Sequence, residues 1–95
     1  MALTGHGISP HALGYQQITD LSISVGLTIP AGSVRALVQC QTQAVRWRDD
    51  DTDPTSTVGM RMVPGEILDY DGDLPRIEFI EETSGAVLNI SYYSA

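Results

Sequence analysis

Turn-forming residues interrupt this chain about every eight to twelve positions, and that rhythm limits what it can fold into. Ile29-Pro30-Ala31-Gly32, Pro64-Gly65, Asp71-Gly72-Asp73 and Ser84-Gly85 all carry turn chemistry: proline presets φ, glycine supplies the positive φ, and aspartate bonds its own backbone. No interval between them holds a sustained apolar stripe at a 3.6-residue period, the signature of a helix. Several hold period-2 alternation instead, the pattern of half-buried strands. The spacing predicts an all-β domain, a compact antiparallel β-sandwich of seven or eight short strands in a jelly-roll or Greek-key-like arrangement.

The strands can be placed in order. Residues 1–12 (MALTGHGISPHA) have two glycines, a proline and little periodicity, and read as an extended N-terminal arm carrying both histidines, His6 and His11. Residues 13–95 form the single sandwich domain. Leu13 to Thr19 reads as a first strand, and Asp20 to Thr28, alternating Leu21, Ile23 and Val25 with serines, suits a second strand or a short irregular crossing. Ser33 to Gln41 puts Val34, Ala36, Val38 and Cys40 on one face and Arg35, Leu37, Gln39 and Gln41 on the other. The remaining strands are expected at Val58 to Val63, Glu66 to Tyr70, Arg76 to Glu82 and Val87 to Tyr93. Tyr92 and Tyr93 are neighbours on a strand and must point to opposite faces, so one is exposed or in an interface.

The stretch Ala44 to Met60 (AVRWRDDDTDPTSTVGM) brings the opposite charges closest together. It opens as a strand with Val45 and Trp47 directed to the core and Arg46 and Arg48 outward, then breaks into an acidic loop. The two arginines either pair with Asp49, Asp50 and Asp51 on a solvated face or lie in a subunit contact, where arginine is enriched. Trp47, Tyr93 and this arginine and aspartate cluster are therefore the candidate interface residues.

Charge narrows the partners. Twelve acidic residues face five basic ones for a net charge of −7, and all five basics are arginine. An acidic, lysine-free surface repels phosphate and anionic lipid, which argues against direct nucleic-acid or membrane binding. Arginine without lysine favours fixed bidentate pairing with carboxylates. One cysteine, Cys40, excludes an internal disulfide, and its place among apolar residues makes it a structural thiol. No apolar run has the roughly 20 residues of a membrane span, and the start lacks the character of a signal peptide, so synthesis in the cytoplasm is expected.

Asp49, Asp51 and Asp53 have the alternate spacing of an EF-hand loop, which makes them weak metal candidates. The sixth position is Pro54 where glycine is needed and the twelfth is Met60 where a bidentate glutamate belongs, so turn residues are the better reading and no metal or cofactor is expected. A looser site joining this loop to Asp69, Asp71 and Asp73 would be the alternative. No nucleophile elbow, phosphate cradle or zinc motif is present, and the adjacent Glu81 and Glu82 diverge on a strand, so an enzyme is not expected.

Beyond its chemistry, the chain resembles a known group. The run VRWRDD, then DPTSTVGM, a P-G-E turn, D-G-D-L, FIEE and the closing GAVLNISYY, with LTIPAGSVRALVQ upstream, resembles small proteins encoded in tailed bacteriophages and prophages over residues 13–93. The resemblance implies a virion structural protein, made in the host cytoplasm, that binds the capsid shell in multiple copies as a decoration or cement protein. Its implied partners are the major capsid protein or other virion proteins and further copies of itself. A head-to-tail connector or tail component is the first alternative, and a glycan-binding module using Trp47 and a C-terminal tyrosine as an aromatic platform is the second.

Overall fold

Alternation of apolar and polar residues predicts strands with one face inward, and that is how the chain is built in the computed structural model, which describes residues 10–95. Eight strands run in the order β1 (Ala12–Ile18), β2 (Val25–Gly26), β3 (Arg35–Gln41), β4 (Val45–Arg48), β5 (Met60–Met62), β6 (Ile67–Tyr70), β7 (Glu78–Glu81) and β8 (Val87–Tyr93). No helix occurs among the described residues. The strands form two four-stranded antiparallel sheets, the first ordered β1-β8-β3-β6 and the second β2-β7-β4-β5. The pairing is nested: β4 with β5, β3 with β6, β2 with β7 and β1 with β8, as in one long hairpin folded over on itself. Two further pairings, β3 with β8 and β4 with β7, join the nested pairs into sheets.

The core lies between the sheets. Ala36, Val38, Cys40, Leu88, Ile90 and Tyr92 enter it from the first sheet, and Val45, Met62 and Phe79 from the second. Connecting segments contribute Leu21, Leu74, Ile77 and Ala86, all buried. Each large apolar side chain so enclosed contributes about 1.5–3 kcal/mol relative to exposure. Among the described residues, every buried side-chain nitrogen and oxygen has a hydrogen-bond partner. Cys40 is fully buried, its Sγ donates to the Gln43 carbonyl at 3.1 Å, and burial pushes its thiol pKa up.

Several details differ from expectation, each for a local reason. Val34 is 48% exposed because β3 starts one residue later, where the Val34 amide bonds to the Tyr93 carbonyl at the strand's open end. Asp20 to Thr28 takes the second of its two expected forms, an irregular crossing in which only Val25–Gly26 pairs as strand. Leu21 is buried but Ile23 is exposed, so the segment is mostly a crossing between sheets. Val58 is outside β5, because the Thr55 Oγ1 and carbonyl capture its amide in a turn. Arg76 and Ile77 likewise precede β7, since the Asp73 carbonyl accepts both of their amides. The expected arm, residues 1–12, falls largely outside the described residues, as does His6. At its end Ala12 already pairs with Tyr93 in β1, and His11 exchanges hydrogen bonds with Ser94.

Candidate functional site

The outer face of the second sheet carries most of the arginines. Arg46 and Arg61 stand directly opposite each other across β4 and β5, an arrangement of like charges that destabilises a sheet unless a counter-charge intervenes. Glu82 intervenes. One of its oxygens, Oε2, accepts from Arg46 Nε at 2.8 Å and Arg61 Nε at 2.9 Å. The arginines hold the Glu82 carboxyl below its usual pKa, Arg61 most strongly, and burial opposes them. Arg46 also donates to the Gly59 carbonyl at 3.2 Å. Gly59 has a φ of 143°, and a Cβ there would sit 3.1 Å from Arg46 Cβ and from the Trp47 carbonyl oxygen, so only glycine lets the loop return this close to β4.

The three consecutive aspartates fan out to three partners. Asp49 accepts the Tyr70 hydroxyl at 2.6 Å, Asp50 takes both forks of Arg48 at 2.9 and 2.6 Å, and Asp51 meets Arg76 at 3.3 Å. Asp51 has a φ of 65°, a left-handed conformation that swings its carboxylate away from the neighbouring two. A glycine there would make the turn more easily but would leave Arg76 with Asp73 alone. Tyr70 also accepts the Asp73 amide at 2.8 Å, and the 71–73 turn passes so near its ring that a Cβ on Gly72 would lie 2.6 Å from the hydroxyl oxygen. Burial first, and the Asp49 acceptor second, push the Tyr70 hydroxyl up to about 12. Trp47 packs edge-on against Tyr70 with centroids 6.0 Å apart.

Among the described residues, no three acidic, histidine or cysteine side chains gather where they could hold a metal ion, so Asp49, Asp51 and Asp53 are not brought together. Glu81 and Glu82 turn apart, Glu81 accepting the Gly85 and Ala86 amides while Glu82 takes the arginines. Trp47 is half-buried and lines an open cleft with Arg48, Val58 and Met60. Arg46 and Arg48 face outward on this side, each with a carboxylate partner within the chain, and Asp50 is exposed beside Arg48, while Asp49 turns toward Tyr70 of the first sheet. Tyr93 is on the opposite side of the molecule, half-buried beside Pro10, Arg35 and Leu37.

That opposite side, the outer face of the first sheet, has a different chemistry. Asn89, in the central strand β8, accepts from Tyr15 Oη at 2.6 Å and Gln17 Nε2 at 2.9 Å and donates to Gln39 at 3.3 Å and Gln41 at 2.8 Å. The charged residues on this face are Arg35 and Asp69, a bidentate pair at 2.7 and 2.5 Å. Tyr15 is 65% exposed and Ile67 62%. The sequence signal for this face was the lack of charge at outward strand positions in a strongly acidic chain.

The geometry defines a β-sandwich with two dissimilar outer faces. No protein-family model, curated protein or solved structure matches the chain.

Proposed function

We propose that this chain is a non-catalytic structural protein of a bacteriophage virion, a capsid decoration or cement protein that binds the outer shell in several copies. The observation that carries this reading is the nested pairing of β1 with β8, β2 with β7, β3 with β6 and β4 with β5. It supports a jelly-roll assignment, an architecture used by viral capsid and lectin domains. The resemblance of residues 13–93 to small proteins of tailed bacteriophages and prophages points the same way. The partner is then the major capsid protein, and the mechanism is mechanical. Area buried across the junctions between capsomers adds binding free energy to the assembled shell and opposes the pressure of packaged DNA. A net charge of −7 suits a component that faces away from that DNA, because phosphates are repelled by it.

The test is to add purified chain to empty shells of the matching particle that lack it. Saturable binding at many copies per shell, with a higher disruption temperature, is the expected result. Binding that saturates at one ring per particle would move the chain to the head-to-tail region. No binding to shells or particles would overturn the reading.

A further inference from the structure

We propose that the outer face of the first sheet is a self-association surface, on which a second copy of this chain docks face to face about a two-fold axis. This does not depend on whether the chain serves a capsid. The argument starts from where the charge lies. Arg35 and Asp69 cancel each other on this face, and the other eleven acids and four arginines, which carry the whole net charge of −7, lie outside the strands of this sheet, with Asp71 just past β6 near enough to act on Arg35. Two molecules of the same strong negative charge meet most readily through a neutral surface. Sheets stacked face to face lie about 10 Å apart, so charges on each far sheet are roughly two sheet spacings from the partner's near sheet. That exceeds the screening length of about 8 Å at physiological ionic strength.

Composition supports the same occupant. Interface centres are poor in charge and rich in tyrosine, and here Tyr15 and Ile67 stand out from a field of amides and Leu37. Tyr15 is already fixed, because its hydroxyl donates to Asn89, so little side-chain freedom remains to be lost on docking. A partner of opposite charge would instead be drawn to the acidic loop and turns on the other side of the molecule. The size of the face bears on how strong the contact is. Four strands about 4.8 Å apart and up to seven residues long at about 3.4 Å each give roughly 450 Å² in projection, or about 900 Å² for two copies before surface relief is counted. That is below the roughly 1,200 Å² of stable specific interfaces, so the association expected is weak and transient.

Sedimentation of the full chain from micromolar to millimolar concentration, at low and high salt, tests this. The expected result is a dimer that tightens, or holds, as salt screens the net charge. Ile67→Asp and Tyr15→Ala should each weaken it at least tenfold while the dilute protein keeps its melting temperature. Should Tyr15→Ala disturb the fold, Ile67→Asp alone decides. Val58→Asp with Met60→Asp, on the exposed apolar edge of the other sheet, should leave association within twofold of wild type. A wild-type chain that stays monomeric throughout, a dimer that dissociates with salt, or one lost through Val58 and Met60 but not Ile67 would overturn the proposal.

Discussion

On one outer face Asn89 makes four hydrogen bonds with neutral side chains, accepting two and donating two, while on the other Glu82 holds two arginines that would otherwise repel. The two faces solve the same problem, polar groups on an exposed sheet, with different physics. The amide network is short-ranged and indifferent to salt. The arginine network depends on a charge balance that salt screens and acid removes. Strand lengths differ in parallel: three strands of the first sheet have seven residues, whereas no strand of the second exceeds four. The first sheet is held mainly by its ladders, and the second leans on side chains and on the loops that return to it. The Asp49 to Asp51 fan, with Tyr70 and Arg76 as partners, supplies much of that support.

If the sheets differed in stability as well as in surface chemistry, truncating the core from either side would reveal it. Phe79→Ala, from the second sheet, should cost about 3–5 kcal/mol, and Leu88→Ala, from the first, about 2–5 kcal/mol. Because both side chains fill one core, chemical denaturation followed by two probes should give a single transition for each variant. Two separated transitions would break the view that the faces differ only outside.

Alkaline titration probes two buried hydroxyls, both carried by the first sheet. Tyr70 and Tyr92 are both pushed up to about 12, chiefly by burial, so the native state keeps protons that the unfolded chain gives up near 10. Their stabilisation is complete below pH 10 and is lost as pH rises from there towards 12. Tyrosinate absorbance should therefore rise together with unfolding in that window. Ionisation of Tyr70 and Tyr92 near pH 10 in a folded protein would contradict the burial.

Tyr70→Phe should separate the acidic loop from the 71–73 turn. It leaves the Asp73 amide and the Asp49 carboxylate without their shared partner, a loss of about 1–3 kcal/mol by urea denaturation. The smallest effects sharpen the comparison most. Asn89→Ala should cost about 1 kcal/mol, nearly the same at low and high salt. Glu82→Gln should destabilise mainly at low ionic strength, and as its pKa is lowered, the wild type should lose the same contribution as pH falls below about 4.5. Equal salt dependence for the two variants would erase the distinction.

Much of the fold was legible because strand alternation and turn chemistry are local. β8, the burial of Ala36, Val38 and Cys40, and the opposed directions of Tyr92 and Tyr93 follow from neighbouring residues alone, whereas Ser84-Gly85, a hairpin signal by its residues, joins β7 to β8 across the two sheets. The errors fall where a distant backbone group decides. Val58 and Arg76 look like strand residues until the Thr55 and Asp73 acceptors claim their amides. The aspartate run was legible as a turn, but its division among Tyr70, Arg48 and Arg76 was not, because two of those partners come from later strands and turns. Arg46 and Arg48 were correctly placed outward, yet the counter-charge of Arg46, Glu82, lies beyond the end of β7, and no spacing rule links the two.

The nesting of strand pairs also orders events in time. β4 and β5 close the smallest loop, from Trp47 to Met60, and β1 and β8 the largest, from Ala12 to Tyr93. Closing the outer loop in an open chain would cost about 1.6 kcal/mol more entropy than closing the inner one. If the inner pairs form first, however, each later pair needs only a short further stretch of chain on either side. The chain can then zip from its middle outward, with the acidic loop at its starting end and β1 joining last. Refolding should be slow, on the millisecond-to-second scale of domains dominated by distant contacts. Changes around residues 49–59 should then alter the folding rate, and changes in β1 chiefly the unfolding rate.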